Sequence, residues 1–383
     1  MTRSAILRHA PLAILGAACS TPLPIEPASE NPTFTGGQIV HTMVVDTIIA
    51  LDAGAYEGAA VDINVSGMMV GWRRTSSGGP TRATRWNGAS PGGFTDIGTL
   101  GGAASEAAAV NDLGAVVGKA AAAPGSTLMN RAFLWRPNVG IQEISPAGLG
   151  FPIGGAVTGL IAHDINNWGV IAGSASGVNG SIRKAFTLDG GTFTAWESCT
   201  GTKGMGIALA INELNTVAGQ VSNYLEAGIG FIKGAGLCFQ GFVTTWGEMN
   251  DVNESNVAVG YDRPGGGAKR AVRWTPANGL QSIHPANDAE ASVAHGNNDY
   301  TMVVGEKIGS YQRAFVWHPL TGMVTLPDLR HVRCGLGANP GAVAYAVNDA
   351  GWIAGMSRDC SGRFKPTLWR VHVQSTDLGA VQP

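Results

Sequence analysis

Two histidines, His163 in AHDIN (162–166) and His295 in VAHGN (293–297), each stand shortly before an asparagine that recurs along the chain. Imidazoles brought together from such places could act as general acid and base. The DIN phrase could offer oxygen ligands to calcium, and carboxylates distant in sequence could meet as a catalytic pair. Against this, the eight histidines are scattered, with no HExxH and no paired spacing. A lone histidine is usually structural. GASPGG is not a GxSxG elbow, and no P-loop is present. No stretch has the dense oxygen spacing of an EF-hand loop. No catalytic residue, metal or cofactor is therefore assigned.

The elements that would position such groups come from a repeat. NDLGAVVGK (111–119) returns as NDAGWIAGM (348–356). An asparagine followed seven residues later by glycine, with a hydrophobic run between, begins at Asn64, Asn111, Asn166, Asn212, Asn253, Asn298 and Asn348. The spacings are 47, 55, 46, 41, 45 and 50. Small and apolar residues precede each asparagine. A second motif follows, as RATRW at 82, RAFLW at 131, RAVRW at 270 and RAFVW at 313, and some units add a third, such as FTDIGTLGG at 94 or STDLGA at 375. Asn and Asp tolerate left-handed backbone, and Gly needs no Cβ clearance, so NDxG reads as a turn. The fourth turn position keeps that tolerance as Asn215 and Asn256, and Thr301 is the exception. The asparagines are read as structural turn residues.

Four short strands in each ~45-residue unit predict a seven-bladed β-propeller, all-β, over residues 39–383. The rival is a linear β-solenoid, whose coils are usually shorter. The sequence leaves open which strand lines the channel. It also leaves open whether the extra strand at 42–52 completes the last blade or belongs to the first.

The combination of SEAAAVNDLGAVVG, RAFLW and DIGTLGG resembles the HAF repeat family of bacterial extracellular proteins. Arg-Ala-Phe or Lys-Ala-Phe stands here in the family's His-Ala-Phe slot. The likeness covers residues about 47 to 379, clearest in the second and seventh units. It implies an exported bacterial repeat protein and brings no activity or catalytic residues.

The N-terminus carries Arg3 and Arg8, an apolar run from Ala10 to Ala18, and then Cys19. This is the pattern of a secretory signal. LGAAC resembles a lipobox, which implies a signal peptide over 1–18 and a lipidated Cys19, although Gly16 stands where Leu is most common. An ordinary signal peptide cleaved near Ala18 is the alternative, and would make the protein secreted rather than anchored. Residues 20–38, rich in Pro, Ser, Thr and Gly, read as a tether. The expected address is the outer membrane or cell surface.

Charged residues make up only 14% of the chain, and the net charge is −2 with no basic block, so a nucleic-acid partner is not indicated. A monomer is expected. In an antiparallel blade the tight Asn turns fall on one face, and the long loops and crossovers on the other. Binding usually lives on long loops, so that face is the expected site for a protein or glycan ligand. It also holds Cys199, Cys238, Cys334 and Cys360, from which the disulfides Cys199–Cys238 and Cys334–Cys360 are predicted. No CxxC pair supports zinc. The aromatics of RAFLW could stack on sugars but are assigned to the core, and the basic residue opening the motif is expected to be solvated or turn-bonding. The preferred function is a non-catalytic binding module. A lectin-like propeller and an enzyme, a lyase or glycosidase with one central site, are the alternatives. The enzyme would require unlike polar residues at the inner ends of several blades.

Overall fold

Every Asn-to-Gly frame folds as a hairpin. In the second unit Ser105–Val110 and Val116–Ala120 are paired, and the Asn111 carboxamide oxygen accepts from Ala115 N at 2.9 Å. The chain reverses through a left-handed residue, Gly114, at φ 78°. Asn215, Asn256 and Thr301 occupy the same place at φ 59°, 56° and 67°, so a β-branched residue is held there in the sixth unit. The closing glycine has a different cause. A Cβ on Gly118 would collide with the Glu106 carbonyl and the Phe133 ring, and the equivalent glycines meet the same carbonyl in the other six units.

The structure is a computed structural model. It describes residues 39–54, 56–88, 93–127, 129–149, 157–177, 183–198, 205–222, 229–233, 238–239, 244, 246–335 and 341–377. The chain divides into two units, 1–40 with 377–383 and His41–Thr376, and the second builds the ring. Cys19 and the tether lie outside the described residues.

The hairpins extend outward into seven sheets arranged as the blades of a β-propeller. Blades 1, 2, 5 and 6 each contain four antiparallel strands from one unit. Blade 3 has its own four, and Cys238–Phe239 adds beside Thr192–Ser198 in parallel. Blade 4 has three described strands. Blade 7 takes three strands from its own unit and Ile39–Ala50 as its outermost strand. The extra N-terminal strand thus completes the last blade and locks the ring. Its place is free because the final strand, Phe364–Asp377, runs straight through Ser375–Asp377 instead of turning there.

The first strand of each unit lies innermost, against the first strands of both neighbours. All seven inner strands carry a bulge at the same place: Ala60 faces Gly71 and Asp62 faces Val70, which leaves Val61 unpaired. The unpaired residues in the other blades are Ala108, His163, Leu209, Asn250, His295 and Tyr345. A bulge bends the strand and re-aims one side chain.

The apolar core fills the seams between blades. Val70 and Ala83 of blade 1 pack with Ala107, Val116 and Phe133 of blade 2. Phe133, Phe186, Phe231, Phe315 and Trp369 from the second motif are fully buried, as core rather than sugar platforms. The basic residue opening that motif makes specific pairs. Arg82 reaches Asp96 at 3.1 Å, and Arg131 reaches Glu143 at 3.4 Å, each on the outer strand of its own blade. Such exposed pairs contribute about 0–1 kcal/mol.

On the long-loop face, Cys334 and Cys360 are joined by a disulfide with Cα atoms 5.9 Å apart. Cys334 ends a one-turn helix, Leu329–Cys334, which Asp328 caps by accepting from His331 N at 2.8 Å. Cys199 lies outside the described residues, so its predicted partnership with Cys238 does too. Register sets Cys238 opposite Glu197.

Candidate functional site at the ring centre

The seven repeat asparagines close a circle. Each Nδ2 donates to the backbone carbonyl of the next blade's asparagine, at 2.9–3.1 Å, from Asn64 to Asn111 and onward until Asn348 returns to Asn64. Each Oδ1 accepts from the main chain four residues on, within its own turn. A carboxamide can donate and accept at once, whereas a carboxylate cannot donate. The turn was legible in the sequence. The link between blades was not, because it joins residues 41 to 55 positions apart, and across the closure 284. Its signal was that the asparagine never varied where the turn glycine did.

A second series, open between Asp349 and Val65, lies one residue later. Val65 N donates to Asp112, Asp112 N to Asn167, Asn167 N to Glu213, Glu213 N to Glu254, Glu254 N to Asp299 and Asp299 N to Asp349. These side chains rim the channel mouth on the tight-turn face.

One step inside lie Asp62, Asp164 and Asp251, two residues before their asparagines. Each accepts from its own next amide and from one on the following blade: Val110, Ile211 and Asn297 respectively. The carboxyls of the two DIN phrases, and of DVN at 251–253, are thus occupied in joining blade 1 to 2, 3 to 4 and 5 to 6. Burial pushes Asp62 and Asp251 up to about 6. Burial first, then the nearby charge of Asp62, pushes Asp164 up to about 8. Three carboxyls distant in sequence therefore sense one another, as the ring permits. Among the described residues, no group of three or more His, Cys, Asp or Glu is placed to hold a metal.

Rim and inner carboxyls together line a cavity of about 260 Å³. It holds Asp62, Asp112, Asp164, Glu213, Asp251, Glu254, Asp299 and Asp349, and no lysine, arginine or histidine lines it among the described residues. Burial raises Glu254 and Asp299, and neighbouring carboxylates raise both further.

Deeper in the channel, the bulge residues meet around a cavity of about 120 Å³. Val61, Ala108 and Leu209 are apolar; His163, Asn250, His295 and Tyr345 are polar and of three kinds. His163 Nε2 lies 3.0 Å from Ser174 Oγ. Asn250 Nδ2 donates to Ala294 O at 2.7 Å. His295 Nε2 lies 3.3 Å from Glu306 Oε1, and Gln312 donates to the other oxygen of Glu306 at 2.9 Å. The His295 and Tyr345 rings are 5.5 Å apart at their centroids. Burial and then the charge of Glu306 push the Tyr345 hydroxyl well above the phenol range, so it stays a donor. Burial also raises Glu248, against the pull of Lys269 and His295. The set can present donors and acceptors to a small polar group and can move a proton through the His295–Glu306 pair.

The two histidines singled out in the sequence thus line the same cavity, from blades 3 and 6. Asn250 and Tyr345 were missed. Aligning the seven units and asking which position refuses to repeat would have found them. Of the loops that the sequence offers for binding, segments 178–182, 223–228, 150–156 and 336–340 fall outside the described residues.

No protein-family model matches the chain, and no curated protein does. Several solved structures are similar to the chain. TolB from Acinetobacter baumannii shares 11% identity at a TM-score of 0.42, over 68% of this chain and 63% of its own; this chain thus spans less than two thirds of that protein. AofleA from Arthrobotrys oligospora shares 11% at 0.39, over 89% and 91%. The BP39L lectin from Burkholderia pseudomallei shares 11% at 0.38, over 90% and 96%. Likeness at this level carries nothing about ligand.

Proposed function

We propose that this chain is an exported, surface-anchored binding module, without catalysis, whose ligand site is the centre of the ring. The observation that carries the site is the bulge position. Turn and closing glycine recur in all seven blades because the fold needs them, whereas the bulge residue differs among Val61, Ala108, His163, Leu209, Asn250, His295 and Tyr345. A recurring frame that brings unlike side chains to one central cavity can hold its selectivity in that lining. A repeated lectin-type site has less support, since the recurring aromatics are core and the recurring asparagines are bonded to the main chain. The reading is tested by screening the Cys19→Ser chain against glycans and peptides. Saturable binding to a related set that His295→Ala abolishes supports it, and binding that is indifferent to truncation of every polar bulge residue removes the central site.

Export and anchoring are supported by Arg3, Arg8, the apolar run and Cys19, and by the resemblance to the HAF repeat family. Cys19→Ser is expected to move the chain from the membrane pellet to the soluble fraction and to abolish fatty-acid labelling. Retention in the pellet would assign anchoring to another segment.

One observation favours a second reading, a lyase or glycosidase: His295, which lines the central cavity with Tyr345, contacts the carboxyl group of Glu306. If His163→Ala with His295→Ala leaves every measured turnover unchanged, that reading ends.

A further inference from the structure

The tight-turn face carries side chains that its turns do not require. The second residue after the repeat asparagine is Ser66, Ser255 or Ala350 in blades 1, 5 and 7, so a small residue suffices for the turn. In blades 2, 3 and 4 it is Leu113, Trp168 and Leu214, and in blade 6 Tyr300, with exposures of 73%, 76%, 63% and 67%. Three adjacent blades thus hold a leucine, a tryptophan and a leucine out to solvent. Apolar side chains concentrated on one part of a surface mark an interaction site. They stand beside the acidic mouth, whose lining carries no basic side chain among the described residues.

We propose that this face docks a cationic amphipathic segment of a partner protein, with apolar residues on Leu113, Trp168 and Leu214 and a lysine or arginine over the carboxylate mouth. The proposal rests on the binding-module reading and supplies the partner class. Charge selects the occupant. Anionic lipid headgroups and nucleic-acid phosphates would be repelled by the same carboxylates, and a second copy offering this face would set like charges together. Trp168 is the natural anchor, being a large, stiff side chain already held on a bonded turn.

The probe is a fluorescein-labelled helical peptide of lysine and leucine, titrated against the full-length chain by fluorescence anisotropy. The expected result is saturable binding that weakens with added salt, and that Leu113→Ser with Trp168→Ser weakens by about tenfold or more. Tyr311→Ser, on the opposite face, should leave it unchanged. The double variant truncates two mostly exposed side chains, and an unchanged unfolding midpoint verifies its fold. Equal binding by the double variant overturns the proposal. So does equal binding of the peptide with glutamate for lysine, or preference for phosphatidylglycerol vesicles. If the peptide fails while another ligand binds in a His295-dependent way, the docking face is lost and the central site stands. If no ligand binds the folded chain, both are lost.

Discussion

The repeat asparagine and the bulge residue three positions before it sit within one turn of chain, yet they behave in opposite ways. The first is identical in all seven blades, and the second is polar in four and apolar in three. The asparagine serves each blade twice, by holding its own turn and by bonding to the next blade. Any change breaks the circle at one seam, and the same geometry recurs at every seam. The bulge residue is not a member of that circle, although Asn250 makes its own bond to the next blade at Ala294 O. It faces the channel, where seven side chains meet once, so each can differ. In this molecule sameness marks the scaffold and variation marks the site.

The largest effect should come from breaking the sameness. Asn111→Ala removes the donor to Asn166 O and leaves Ala115 N without its acceptor, both buried. A loss of about 3 kcal/mol is expected in denaturant unfolding. A loss below about 0.5 kcal/mol would show that the circle is incidental.

A second effect is set by the carboxyls just inside the circle. Asp62, Asp164 and Asp251 are raised in the folded chain, to about 6, 8 and 6, above the unfolded value near 3.8. The folded state therefore binds more protons between these limits, and stability falls as pH rises from about 4 to about 8. The thermal midpoint should decline across that range. The alkaline part of the decline should vanish in Asp164→Ala when each variant is referred to its own acid limit. A midpoint that climbs with pH would contradict the assignment.

Thr301→Gly sharpens the comparison from the scaffold side. It relieves a β-branched residue at φ 67° and should raise stability by about 1 kcal/mol. The smallest effect should come from the varied position. His163→Ala or His295→Ala is expected to change the unfolding free energy by less than about 1 kcal/mol, while altering ligand binding at the centre. A large destabilisation would place these histidines in the scaffold.

The sequence carried much of the fold because backbone chemistry is local. The NDxG turn, Thr301 as its exception, the closing glycine and the core aromatic could each be read within one unit, and counting units gave the ring size. Cys334 and Cys360 belong to one unit and could be paired for the same reason. The helix ending at Cys334 was not visible, since six residues inside one crossover have no periodicity to read.

Only the tertiary structure decided which strand faces the channel. It also decided that the N-terminal strand closes the last blade, that each carboxamide reaches the next turn, and that His163, Asn250, His295 and Tyr345 share one cavity. These facts depend on closure. Curvature brings seven inner strands around one axis, and residues separated by most of the chain become neighbours there. A repeat announces its unit in one dimension, but the centre of a ring exists only once the ring has closed.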